Sequence, residues 1–176
     1  MSVTLYLDES KAKDYLIVAA AVVTTDAAST RKALSDLRMK GQRRIHFVRE
    51  SDSRRRELLS AMIGMRLQTL VYKVTGLPEA QARARCLEAI VEDLSTLGAS
   101  RLILERDDSI VQADRRHLRA ILEARGLREQ VSYDHEKAQA EPLLWPADAV
   151  AWSFGRGGDW RRRASGLVVQ VRDLGG

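Results

Sequence analysis

The sequence predicts an α/β fold: a mixed sheet of three antiparallel strands followed by parallel strands, flanked by helices, with a helical insertion between strands two and three. Three observations carry this. Two strand-like runs, VTLYL and DYLIVAAAVVTT, are separated by only a short polar link, which suits an antiparallel pair. From residue 67 onward, strand-like runs alternate with helical segments long enough for the crossovers that parallel strands require. The 176 residues, 45% hydrophobic, suffice for one sizeable core and are short for two ordinary domains, so one domain over residues 1–176 is expected.

Val3, Leu5 and Leu7 alternate with Thr4, Tyr6 and Asp8, the period-two pattern of a strand with two distinct faces. The second run is continuously apolar with β-branched residues at both ends, as in a strand covered on both sides, although its alanines also suit a helix. Thr25 or Asp26 can cap a helix reaching about Met39, stopped by Lys40-Gly41. RRIHF reads as a short extended piece. A second helix starts near Asp52, with Ser51, Asp52 and Ser53 as candidate caps and Leu58, Leu59, Met62 and Ile63 at helical spacing. Residues 26–66 thus form the inserted layer.

LQTLVYKVTG returns to strand character, and Pro78 opens a helix with Ala80, Ala84, Leu87, Ile90, Val91 and Leu94 on one face, ending near Gly98. SRLILERDD is the next strand and stops in acid at Glu105. A helix over Ile110 to Arg125 is closed by Gly126, EQVSYD makes a fifth strand, and PLLWPADAVAWSF forms a helix whose regular part begins around Trp145, because Pro146 fits only near a first turn. GRGGDW reads as a helix stop followed by an Asp159 cap, and LVVQV as an edge strand. Without the insertion the order is strand, strand, strand, helix, strand, helix, strand, helix. This is the order of the RNase H fold, in which the first and fourth strands are parallel neighbours.

Composition narrows the function classes. A net charge of +5 and a pI near 9.6, with 23 Arg against 6 Lys, favour polyanionic partners, and Arg suits bidentate phosphate contacts; a GC-rich coding sequence explains the same bias. The lone Cys86 excludes an intramolecular disulfide and a Cys-based zinc site. The longest apolar run, Leu16 to Val23, is far too short to span a bilayer, and the first residues lack the pattern of a secretory leader, so a soluble cytoplasmic protein is expected.

If strands one and four are neighbours, Asp8 and Glu105 emerge side by side at the carboxyl end of the sheet, where open α/β sheets bind ligands. Paired carboxylates repel unless neutralised, and a hard divalent cation such as Mg2+ or Mn2+ is one remedy. Asp148 supplies a third: it lies among Leu144, Ala147, Ala149, Val150 and Ala151, where an acid is out of place unless it points at something. Three such carboxylates suit two-ion hydrolysis of a phosphodiester. The plainer alternative is that acids at strand ends cap turns and that Asp148 favours a helix dipole.

YLDES, IHF, the LILERDD strand end and EPLLWPADAVAW resemble, over most of the chain, the bacterial domain-of-unknown-function family 3800, which is grouped with RNase H-like proteins. The resemblance implies a metal-dependent nuclease whose first-strand acid falls on Asp8, fourth-strand acid on Glu105, late-helix acid on Asp148 and middle histidine on His46. The family's usual Asp-Glu-Ser-Gly start is broken here, since Ser10 is followed by Lys11.

Glu9, His46 and Asp134 are further candidates: Glu9 if the strand has already ended, His46 as a phosphate contact or proton shuttle, Asp134 as an extra ligand or simply a turn residue. Arg43-Arg44, Arg54 to Arg56, Arg115-Arg116 and Arg161 to Arg163 are clusters that would bind nucleic-acid phosphates if they lined one groove, with Arg43, Arg44, Arg161 and Arg162 foremost. Solvated faces are the alternative. No phosphate loop, nucleophile elbow or aromatic stacking platform is present. Three functions compete: a two-metal nuclease, the same fold as a catalytically inactive nucleic-acid or protein-binding module, and a partner-binding protein using residues 26–66.

Overall fold

Side-chain parity in the first strand organises the molecule, whose computed structural model describes residues 2–176. Strand β1 (Val3–Ser10) pairs antiparallel with β2 (Tyr15–Val23), and β2 with β3 (Gln68–Val74). On its other side β1 pairs parallel with β4 (Ala99–Glu105), and β4 with β5 (Ser132–Glu136). The expected edge strand, β6 (Val168–Asp173), adds parallel to β3, giving the order β5-β4-β1-β2-β3-β6. Both faces of the sheet are covered, which is why β2 is apolar throughout.

One face carries Tyr6, Val18, Ala20, Val71 and Ile103 against helices α1 (Ala27–Ser35), α2 (Asp52–Gly64) and α5 (Trp145–Arg156). The other carries Leu5, Leu7, Ile17, Ala19, Leu70, Leu102 and Leu104 against α3 (Glu79–Leu97) and α4 (Val111–Ala124). Helix α5 buries Ala147, Ala149 and Ala151 among larger residues and packs on β1 and β2; small side chains permit that close seat. Gly98, at φ 65°, closes α3 in the left-handed conformation that a β-carbon disfavours. No described helix is long and apolar enough to cross a membrane.

Four expectations need correction. The first strand does not end at its acids: Asp8 and Glu9 lie inside β1, opposite Val18 and Ile17. Helix α1 stops at Ser35 rather than about Met39, and a turn-rich segment follows. RRIHF is not a strand. Ile45 and Phe47 bury into the α5-side core, residues 47–49 make a 3-10 turn, and Arg55 donates to the carbonyls of Phe47 and Val48 at 2.8 and 3.0 Å, so side chains satisfy what a strand partner would. Lastly, a short helix α6 (Gly158–Ala164) follows α5, and Asp159 sits in its first turn beneath Arg162 and Arg163 instead of capping it. Gly157, at φ 75°, turns the chain between the two helices.

Candidate functional site

Parity places the acids. In β1, Asp8 is two residues from Tyr6 and shares its face; in β4, Glu105 is two residues from Ile103 and shares the same face. β1 and β4 are in register through Leu7 and Leu104, so the next residues, Asp8 and Glu105, come side by side below the first turn of α5, which carries Asp148. All three are removed from bulk water to a large degree; the Asp148 side chain is 15% exposed.

Burial raises the Asp8 carboxyl well above the usual range, and the neighbouring Glu105 and Asp148 carboxylates raise it further. Asp148 is pushed up to about 6, by burial first and by Glu105, although the Phe47 N–H and Arg44 pull it back. The Phe47 N–H donates to Asp148 Oδ2 at 2.9 Å, tying the inserted segment to α5. Asp8 Oδ1 accepts from the Glu9 N–H at 2.7 Å.

Arg44 stands between two of the acids. Its Nη1 donates to Glu105 Oε1 at 3.1 Å and its Nη2 lies 3.8 Å from Asp148 Oδ2. Three carboxylates are a suitable donor set for a hard divalent cation. Among the described residues, however, no three His, Cys, Asp or Glu side chains are arranged to hold a metal as they stand. The guanidinium is the cation that Glu105 and Asp148 hold.

The other expected residues scatter. Glu9 points to the α3 side, where it accepts from Arg83 at 2.8 Å and from the Tyr15 hydroxyl and pairs with Lys11 at 3.3 Å. A cleft of about 180 Å³, lined in part by Asp8, Glu105, Glu9 and Arg83, runs between the two groups of acids. His46 is half-buried beside Arg43, Arg44 and Arg49, and burial, then Arg44 and Arg49, holds its pKa down. Asp134 is exposed on the edge strand β5, about 4.0 Å from Arg101; it pairs with Ile103 and so shares the trio's face, but one strand out and one strand period short of Glu105. Arg161 lies over the Phe154 ring in a separate cleft with Lys13 and Lys73, and Arg162 pairs with Asp159, so neither joins Arg43 and Arg44. Arg54 and Arg55 are largely buried and bind carbonyls of Leu37, Phe47 and Val48, which removes those two from any groove and leaves only Arg56 of that cluster exposed.

A second buried network sits behind Glu9. Arg83 Nε and Nη2 hold Asp114 at 2.6 and 2.9 Å, and His135 Nε2 lies 2.9 Å from Asp114 Oδ2. Burial alone would raise Asp114, and the His135 and Arg83 contacts outweigh it, leaving the carboxyl below its ordinary value. The readable signal was spacing: Val111, Asp114, Leu118 and Leu122 share the buried face of α4.

No protein-family model matches the chain, and no curated protein is recognisably similar to it. Among solved structures, it is similar to a chain of the PCNA:RNase HII complex from Archaeoglobus fulgidus, with a TM-score of 0.54 and 21% identity over 89% of this chain and 72% of that one. At that identity the likeness carries architecture alone. The chain has an RNase H-like α/β fold, its sheet antiparallel through β3 and parallel from β1 outward through β4 and β5.

Proposed function

We propose that the chain is a nuclease that hydrolyses phosphodiester bonds of DNA or RNA, using Mg2+ or Mn2+ held by Asp8, Glu105 and Asp148. The observation that carries the reading is the convergence of three carboxylates from β1, β4 and α5, two of them held above their ordinary range by burial and mutual repulsion. A fold does not maintain such a cluster cheaply, and a cation relieves it. A bound divalent cation would supply Lewis-acid activation and charge neutralisation. The chain's own contribution is orientation: the Phe47 N–H fixes Asp148, the β1–β4 register fixes Asp8 beside Glu105, and His46, held largely uncharged at neutral pH, is available to accept a proton. Likeness to a chain of a complex named for an RNase supports nucleic acid as substrate. Membership of the domain-of-unknown-function family 3800 belongs to the same reading. So does a cytoplasmic location, supported by the buried free thiol of Cys86.

The test is cleavage of single-stranded and duplex DNA, RNA and hybrid substrates with added Mn2+. Wild type should cut at least one and Asp8→Asn none; cleavage surviving in both Asp8→Asn and Asp148→Asn refutes the mechanism. The alternative reading, an inactive binding module, is favoured by Arg44 as a resident counter-cation. Calorimetric titration with Mn2+ separates the two, since a module neutralised by Arg44 takes up no Asp8-dependent metal.

A further inference from the structure

The geometry points to a phosphate-binding pocket beside the acidic trio, with Arg44 as a shared wall that swings between the two sites and makes cation and phosphate bind cooperatively. This rests on the trio being the cation site proposed above.

The pocket, about 360 Å³, is lined by Gln42, Arg43, Arg44, His46, Arg49 and Glu50. Arg43 and Arg49 are exposed and have no carboxylate within ion-pair distance among the described residues, so their charge is available to an anion. The one acid of the wall, Glu50, is already occupied: Gln42 Nε2 donates to both its oxygens at 3.2 Å, and Arg54 Nε lies 3.9 Å away. His46 adds ring nitrogens without a fixed charge. The pocket therefore has the donors a phosphate needs, with Arg the preferred residue for that geometry.

Arg44 links the sites because it lines the pocket while its guanidinium rests on Glu105 and Asp148. A divalent cation among the acids and a guanidinium in contact with two of them are like charges in one place. Entry of the cation expels Arg44, and the pocket is where its side chain can turn. There it meets Arg43 and Arg49, an arrangement that is costly until an anion arrives. Each ligand thus removes part of the obstacle to the other, and linkage makes the effect reciprocal. The insertion is accordingly part of the substrate site, contributing the arginine that reports whether the cation has bound.

The experiment is calorimetric titration of the full chain with Mn2+, with and without inorganic phosphate. In wild type, phosphate should tighten Mn2+ binding by about 5-fold or more. Arg44→Ala should bind Mn2+ more tightly than wild type without phosphate, and its phosphate effect should fall below about twofold. Arg44→Gln, which keeps a polar side chain, should behave alike and guards against misfolding, checked by its melting curve. Arg43→Ala/Arg49→Ala should bind Mn2+ more tightly than wild type without phosphate, because the expelled guanidinium no longer meets two like charges, and should lose the phosphate effect. An unphosphorylated oligonucleotide that reproduces the coupling assigns the pocket to a strand backbone; coupling by inorganic phosphate alone assigns it to a free or terminal phosphate. Coupling absent in wild type, or persisting in both Arg44 variants, overturns the inference while leaving the cation site intact. If neither wild type nor the Arg44 variants bind Mn2+, the nuclease reading itself fails and the inference with it.

Discussion

Neutralising Asp148 should make the metal-free protein more stable, the reverse of what deleting a buried hydrogen-bonded residue ordinarily does. The carboxyl is raised from 3.8 to about 6, so in the native state it holds a proton that the unfolded chain gives up more readily. For an acid shifted in this direction the cost grows as pH rises from the unfolded value and is complete above the folded one, a window of about pH 4 to 6. At pH 7 the cost is about 3 kcal/mol, taking about 1.4 kcal/mol for each pH unit between the two values. Asp148→Asn keeps the oxygen that accepts from the Phe47 N–H and forfeits the weak 3.8 Å approach of Arg44. The net expectation is a gain of about 1–3 kcal/mol, or roughly 3–10 °C in melting temperature for a chain of this size. Thermal and urea unfolding in EDTA would be compared for the variant and wild type across pH. The gap should be largest at pH 7, about half as large at pH 5 and nearly gone at pH 4. A variant less stable than wild type at pH 7, or a gap that does not vary with pH, would refute the argument that the site stores electrostatic repulsion.

Arg83→Leu should cost about 3–5 kcal/mol in urea unfolding, because Asp114 and Glu9 lose the guanidinium that compensates them. Arg83→Leu/Asp114→Leu should recover part of that loss; a single variant costing under about 1 kcal/mol would show the network to be incidental. Gly155→Ala would place a methyl group against the Ser10 hydroxyl at the end of β1, which can rotate away, so with the helix preference for Ala the stability should change by no more than about 1 kcal/mol; a larger loss in urea unfolding would show that the Ser10 hydroxyl is fixed. Arg43→Ala/Arg49→Ala should weaken oligonucleotide binding and lower the slope of log K against log salt by about 1–2 in a filter-binding or anisotropy titration. An unchanged slope would place the nucleic acid elsewhere.

The trio is legible from sequence because two periodicities determine it. Asp8 follows Tyr6 and Glu105 follows Ile103 by one strand period, and parallel adjacency of β1 and β4 then sets them on one face. Asp148 stands out as an acid in an apolar helix. The same parity sends Glu9 to the opposite face, where its partners Arg83 and Tyr15 lie. What periodicity does not reach is the segment after α1. Residues 36–46 are turns, without a repeating face, so nothing local says where the Arg44 side chain goes. RRIHF has the composition of a strand, yet tertiary contacts from Arg55 and Asp148 take its backbone groups. Charge clusters mislead for a related reason: Arg54 and Arg55 bury their stems and bond carbonyls, which three adjacent arginines in a sequence do not reveal. Helix α6 escapes because seven residues, three of them Arg, carry no usable apolar period.

The insertion between β2 and β3 is therefore a structural part of the site rather than an appendage. Ile45 and Phe47 anchor it in the core shared with α5, Phe47 fixes Asp148 through its N–H, and Arg44, directly before Ile45, reaches Glu105. Short spacing from a buried anchor confines Arg44 to a small region, which is what lets one guanidinium serve as counter-ion to the acids. It follows that loosening the anchor should act on the acids without touching them. Phe47→Ala removes a buried ring packed edge-on to Trp152 at 5.6 Å and frees the turn that carries Arg44. With the guanidinium no longer held over Glu105 and Asp148, the repulsion among the acids rises. The variant should then lose more stability at pH 7 than at pH 5, whereas a loss due to the cavity alone would be the same at both.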